Sequence, residues 1–251
     1  MAISNFSYLY ETYKRAVVRV TIRTNDGDLS TGSAFHIGDG WLATAAHVIL
    51  RGSLYEVIAE GVGNPLNVER ILTHSDPNID LGLIKTNFNL SHYLEKTTIH
   101  NPPDGFVKTD RFLVGGHLDD WIGDELVLSK VLLMGYPPVP FSNAPILLAA
   151  EGEVNAVIDK YNGPHPHFIV SCMGRGGFSG GPVLSEHGFL LGVVTESLVM
   201  NNQPEELGYT AAISVEPLLT MLYEHKIYPG SSRETLEVLF GEAGHWDTKK
   251  A

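Results

Sequence analysis

Apolar and β-branched residues recur along this chain in short runs, set between clusters of Gly, Pro, Asn and Asp. Such punctuation predicts many short strands rather than long helices. "AVVRVTIR" (Ala16–Arg23) has strand composition, and "NDGD" (Asn25–Asp28) is a turn. "TGSAFHIGDGWLATAAHVI" reads as a hairpin of Gly32–Ile37 and Trp41–Thr44 about a Gly-Asp-Gly turn, followed by a helical turn around Ala45–Val48. "LYEVIAE", "NVERILTH" and "LGLIKTNF" continue the strand pattern. Residues 87–120 are less regular, and the boundary between two lobes is placed there. Strand composition resumes with "ELVLSKVLLMGYPP", "APILLAAEGEVNAVI", "HFIVSC", "GPVLS", "FLLGVVTES" and "GYTAAIS".

Six or so strands per half predict two β-barrels or sandwiches. Helical spacing occurs at two places. Ile3, Phe6, Leu9, Tyr10 and Tyr13 form an apolar stripe near the N-terminus, with Ser4 or Asn5 as N-cap, and Val215, Leu218, Leu219 and Leu222 form another. The expected organisation is a helix and first lobe over residues 1–118, a second lobe with its helix over 119–228, and a tail over 229–251. That tail contains the amphipathic piece "SRETLEVLF" and ends in "DTKKA", which is expected to fray.

Composition narrows the function classes. The formal net charge of −12 repels nucleic acid and anionic membrane surfaces and suits neutral or basic partners. The single cysteine, Cys172, rules out an intramolecular disulfide, which fits a reducing compartment. The N-terminal stretch has no basic region leading into an apolar one, so no signal peptide is expected, and no apolar run is long enough to span a bilayer. These features predict a soluble, cytoplasmic protein. "GPHPHF" sets His165 and His167 two residues apart without a third ligand in sequence, and no metal or other cofactor is expected.

The candidate chemistry lies in three stretches. His47 in "LATAAHVI" stands where a buried strand ends, although an isolated histidine there more often merely satisfies a core. Asp80 in "DPNIDLGLIK" opens an apolar strand, where a carboxylate needs a partner such as His47 or its own backbone. Asp76 better fits simple turn chemistry. Ser179 in "GRGGFSGGPVL" (Gly174–Leu184) is flanked by glycines that permit positive φ and close substrate approach, whether as a plain loop or as an oxyanion cradle. Acyl transfer needs such a set: a hydroxyl, a base, an orienting acid and donors for the oxyanion.

"TAAHV" (Thr44–Val48), "DLGLI" (Asp80–Ile84) and "GFSGGP" (Gly177–Pro182) together resemble the chymotrypsin-fold serine peptidases, especially their bacterial trypsin-like and HtrA-like branch. "GSAF" (Gly32–Phe35) is similar to the family's first hairpin, and Gly123–Pro137 to the segment opening its second barrel. The resemblance covers roughly Ala16 to Ser214 and implies an all-β fold of two six-stranded antiparallel β-barrels, with short N- and C-terminal helices. It implies a serine endopeptidase with His47 as general base, Asp80 as its orienting acid and Ser179 as nucleophile. Gly177 and Ser179 N–H groups would form the oxyanion hole, and a protein or peptide would be the substrate. Met173, Thr195, Glu196 and Ser197 would line the substrate pocket and favour an apolar or small P1 residue slightly over a basic one.

Two departures stand out. Phe178 occupies the place where zymogen-type members carry an acid that pairs with a new N-terminus, and no PDZ-like domain is expected within these residues. The alternative is therefore a protease-like binding or regulatory module, inactive until a regulatory partner or fused domain sets the loop. An α/β-hydrolase esterase is excluded, because its chain order is Ser, Asp, His and its serine precedes a helix.

Overall fold

The computed structural model describes residues 5–88, 119–159, 164–172, 176–199, 206–230 and 232–241. Most of the irregular 87–120 stretch, Ser4 and the "DTKKA" end lie outside them. Helix α1 (Asn5–Tyr13) leads into six strands: β1 (Val17–Thr24), β2 (Leu29–Gly38), β3 (Trp41–Thr44), β4 (Gly52–Ala59), β5 (Val68–Thr73) and β6 (Gly82–Thr86). A short helix, α2 (Ala46–Leu50), sits between β3 and β4. Six further strands follow: β7 (Lys130–Gly135), β8 (Leu148–Asp159), β9 (Pro166–Val170), β10 (Pro182–Ser185), β11 (Leu190–Val199) and β12 (Glu206–Ser214). Helices α3 (Glu216–Glu224) and α4 (Ser232–Phe240) come last.

The second set closes into a barrel in the order β10-β11-β12-β9-β8-β7, which leaves no free edge. The first set is a six-stranded sheet in the order β4-β1-β2-β3-β6-β5, whose edge strands β4 and β5 are not laddered to each other. Between those edges the connecting segment turns back, and Leu66 N–H donates to Val57 O at 2.8 Å. Its concave side still holds a packed interior that includes Val18, Val20, Leu42, Val57, Ile84 and Phe88. All described ladders are antiparallel.

Burial follows the strand composition. β9, read from "HFIVSC", is buried at every residue, as befits a strand covered on both faces. β7 begins later than its apolar run suggests. Asp124–Leu126 form a 3₁₀ turn and Leu128 takes φ +71°, so the chain bends before it pairs. A third cluster joins the two halves: α1 contributes Leu9 and Tyr13, β2 Phe35 and Ile37, β7 Leu132 and Met134, α3 Leu218 and Leu222, and α4 Leu236 and Leu239. The amphipathic piece of the tail is therefore a docked helix, and Gly230 N–H ahead of it donates to Asp39 Oδ2 at 2.9 Å in the β2–β3 turn.

Candidate active site

His47 is the second residue of α2, in the first turn of a helix whose N–H groups lack intrahelical acceptors. Its backbone N–H donates to Asp80 Oδ1 at 2.8 Å, and its ring Nδ1 lies 2.6 Å from Asp80 Oδ2. One carboxylate therefore fixes both the main chain and the ring of His47. An ionised carboxylate accepts only, so Nδ1 carries the proton and Nε2 presents its lone pair on the opposite side of the ring. Both side chains are partly exposed, at 22% for His47 and 32% for Asp80.

Asp80 is held from both sides. The Thr44↔Gly82 pairing of β3 with β6 puts the approach to β6 beside the start of α2. Its neighbours Ile79 and Leu81 are buried in the cluster that joins the halves. Asp76 serves the turn, as its sequence context suggests, with Oδ1 accepting Asn78 N–H at 2.9 Å.

Ser179 sits in the loop before β10. Gly177 has φ +107° and Gly180 φ +82°, a region that L side chains rarely adopt. A Cβ on Gly177 would reach 2.5 Å from Pro137 Cα, and one on Gly180 would strike Ser33 O and Thr44 Oγ1. The second contact brings the serine loop against the residues that enter α2, and so beside His47. The loop's carbonyls are engaged: Gly177 O by Ser33 Oγ–H at 2.6 Å, Phe178 O by Gly181 N–H at 2.8 Å, and Ser179 O by Ser33 N–H at 2.8 Å. Among the described residues, the N–H groups of Gly177 and Ser179 donate to no protein acceptor. Two unengaged amides flanking a hydroxyl are what an oxyanion requires. Ser179 Oγ makes no hydrogen bond to His47 here. Such contacts often tighten only when substrate binds.

Phe178 is 3% exposed and packs into the second barrel with Phe168, Val170, Val183 and Val194. Of the expected pocket residues, Thr195 is buried and donates to Ala211 O at 3.3 Å, while Glu196 is exposed. Ser197 lies in β11, but its side chain is outside the described residues, as is Met173 altogether. His165 gains two neighbours that sequence spacing does not reveal. Its Nδ1 lies 2.6 Å from Asp119 Oδ2, and ligand atoms of Asp119, His165 and Glu216 all fall within 4.8 Å of one another. Burial raises the Glu216 carboxyl above its ordinary pKa. His167 is not among these ligand atoms; its Nδ1 bonds His165 O at 3.0 Å. Sequence reasoning also passed over Ser33, whose only signal is a polar residue between the small residues Gly32 and Ala34, in a strand that also carries Ser30, Thr31 and His36.

The family model for the trypsin-like peptidase domain matches residues 32–193, well over half of the chain. The chain belongs to the trypsin-like peptidase family. No curated protein sequence matches this peptidase. Among solved structures it is similar to the active form of the Rv3671c protease from M. tuberculosis, at 18% identity and TM-score 0.58, covering 88% of this chain and 85% of that one. It is also similar to the serine endoprotease from Yersinia pestis, at 22% identity and TM-score 0.58, covering 90% of this chain and 68% of that one. A third is the HtrA-type protease AlgW with tripeptide, at 18% identity and TM-score 0.58, covering 88% of this chain and 63% of that one. At these identities the likeness concerns the fold, which is the chymotrypsin-like double barrel expected from the motifs. With the family match, the class of activity is that of a serine endopeptidase.

Proposed function

We propose that this peptidase cleaves peptide bonds through a Ser179–His47–Asp80 triad and an acyl-enzyme. Ser179 Oγ attacks the scissile carbonyl carbon while His47 Nε2 takes its proton. The carbonyl electrons move onto oxygen, where Gly177 and Ser179 N–H groups receive them. His47 then gives its proton to the leaving amine as the C–N bond breaks. Water, deprotonated by His47, attacks the resulting ester and releases Ser179. Asp80 stays ionised and stabilises the imidazolium. The observation that carries this is the double grip of Asp80 on His47, at 2.6 and 2.8 Å, beside a loop with two unengaged amides.

A fluorophosphonate probe tests it. Wild-type protein is expected to label and Ser179→Ala is not; folded wild-type protein that labels neither alone nor with peptide overturns the assignment. The absence of a Ser179–His47 hydrogen bond favours a second reading, in which a partner or substrate must first draw the serine loop onto the base. Labelling that appears only when peptide is added distinguishes it. Cys172 is buried and unpaired, which supports a reducing compartment, and we place the protein in the cytoplasm on that ground. No described helix is long and apolar enough to cross a membrane.

A further inference from the structure

Ser33 is fully buried in β2, in the first half of the molecule, yet most of its hydrogen bonds go to the second. Its hydroxyl donates to Gly177 O at 2.6 Å and accepts Tyr136 N–H at 2.9 Å. Its backbone N–H donates to Ser179 O at 2.8 Å, and its carbonyl accepts Thr44 Oγ1–H at 2.7 Å. Thr44 ends β3, two residues before α2 begins. One residue therefore ties together the loop of the nucleophile, the end of β7 and the entry to the base.

We propose that Ser33 is a positioning residue that holds the oxyanion hole open from across the seam between the two barrels. The proposal rests on the roles given above to Ser179 and Gly177. A trans peptide points its N–H opposite to its C=O, so fixing carbonyls fixes amides. Phe178 O is held by Gly181 N–H, which directs Ser179 N–H the other way. Gly177 O and Ser179 O, on either side, are both held by Ser33. Gly177, at φ +107°, has no side chain to limit its rotation; its N–H lies in the preceding peptide, so the Ser33 hydroxyl, by holding Gly177 O, fixes the Gly177–Phe178 peptide that joins the two donor residues. Phe178 anchors the loop by packing and carries no charge, so no ion pair at that position can do the same task.

Removing the hydroxyl leaves Gly177 C=O and Tyr136 N–H buried without this partner and frees the Gly177–Phe178 peptide, which links the two oxyanion donors, to rotate. Loss of a single oxyanion donor costs roughly 10²–10³ in rate, and partial misalignment should cost less. Ser33→Ala is expected to lower kcat on a peptide substrate about 10–100-fold with KM within about two-fold. A peptide aldehyde, whose adduct places an oxyanion in the hole, should lose affinity by a similar factor.

Thr86→Val is the control. Thr86 Oγ1 donates to Gly40 O at 2.9 Å and accepts Phe88 N–H at 3.1 Å, the same two-bond pattern at a buried position away from the loop. It should lower thermal stability while leaving kcat near wild type. If Ser33→Ala does not fold, Ser33→Cys keeps a weak donor of similar shape and should show a smaller kcat loss of the same kind. A folded Ser33 variant with wild-type kcat and aldehyde affinity overturns the proposal. Wild-type protein that resists fluorophosphonate both with and without peptide, or Ser179→Ala that retains activity, instead overturns the triad and leaves the Ser33 hydrogen bonds unaffected.

Discussion

Asp80 uses both of its oxygens on a single residue, and this makes its role separable from that of a general surface charge. Oδ2 sets the His47 tautomer and Oδ1 sets the backbone that carries the ring. Asp80→Asn keeps the shape but can present an amide N–H₂ to Nδ1, which then becomes the acceptor and leaves Nε2 protonated. The expected result is a kcat loss on the order of 10⁴ with little change in the folded structure. Loss of less than about ten-fold, measured with a peptide substrate, would show that Asp80 merely caps α2. These residues were legible because each stands just beyond the end of an apolar strand, His47 after β3 and Asp80 before β6, where a polar group demands a partner. Ser33 was not, because its partners lie 144 and 103 residues away and nothing local marks a buried hydroxyl that bridges two halves. Phe178 was legible only as a departure, since its burial depends on the closure of a barrel that sequence spacing does not describe.

At the scale of elements, the β2–β3 hairpin holds a second histidine whose chemistry concerns stability rather than catalysis. His36 is buried, and burial lowers its pKa from 6.5 to about 4, with Asp39 opposing and Lys85 adding to the effect. Its Nε2 accepts Gly40 N–H at 3.1 Å, which requires the unprotonated nitrogen. Between pH 6.5 and about 4 the unfolded chain binds a proton that the folded one refuses, so stability falls as pH falls through that window. The full effect is on the order of 3 kcal/mol, present above the unfolded value and lost by pH 4. His74, also lowered by burial, acts in the same direction. Urea unfolding at pH 7 and pH 4.5 should show this loss, and His36→Gln should reduce the pH slope even if it costs stability at pH 7. An unchanged slope in the variant would mean that carboxylates, not His36, govern acid sensitivity. The hairpin was readable from its Gly-Asp-Gly turn, and β3 falls on Trp41–Thr44 as its composition indicates. The start of β7 was not, because an apolar run does not distinguish a strand from the 3₁₀ turn and positive-φ bend that precede it here.

For the whole molecule, the decisive feature is that the largest core cluster among the described residues belongs to neither barrel alone. Leu9 of α1, Phe35 of β2, Met134 of β7, Val193 of β11 and Leu222 of α3 share one apolar cluster. The proposed catalytic groups straddle the same seam, with His47 and Asp80 supplied by the first half and Ser179 by the second. A seam packed this way couples the two halves in folding, so that neither barrel keeps its surface covered if the other opens. Leu9 and Leu222 are 1% and 0% exposed, and truncating either to Ala should cost about 2–5 kcal/mol. The expected outcome is one cooperative transition in denaturant, with Leu9→Ala and Leu222→Ala each shifting a common midpoint for amides of β1–β6 and of β7–β12. Hydrogen exchange along the transition makes the comparison. Two separate midpoints, with Leu9→Ala moving only the first, would mean that the barrels fold independently and that the active site is assembled by docking rather than by folding.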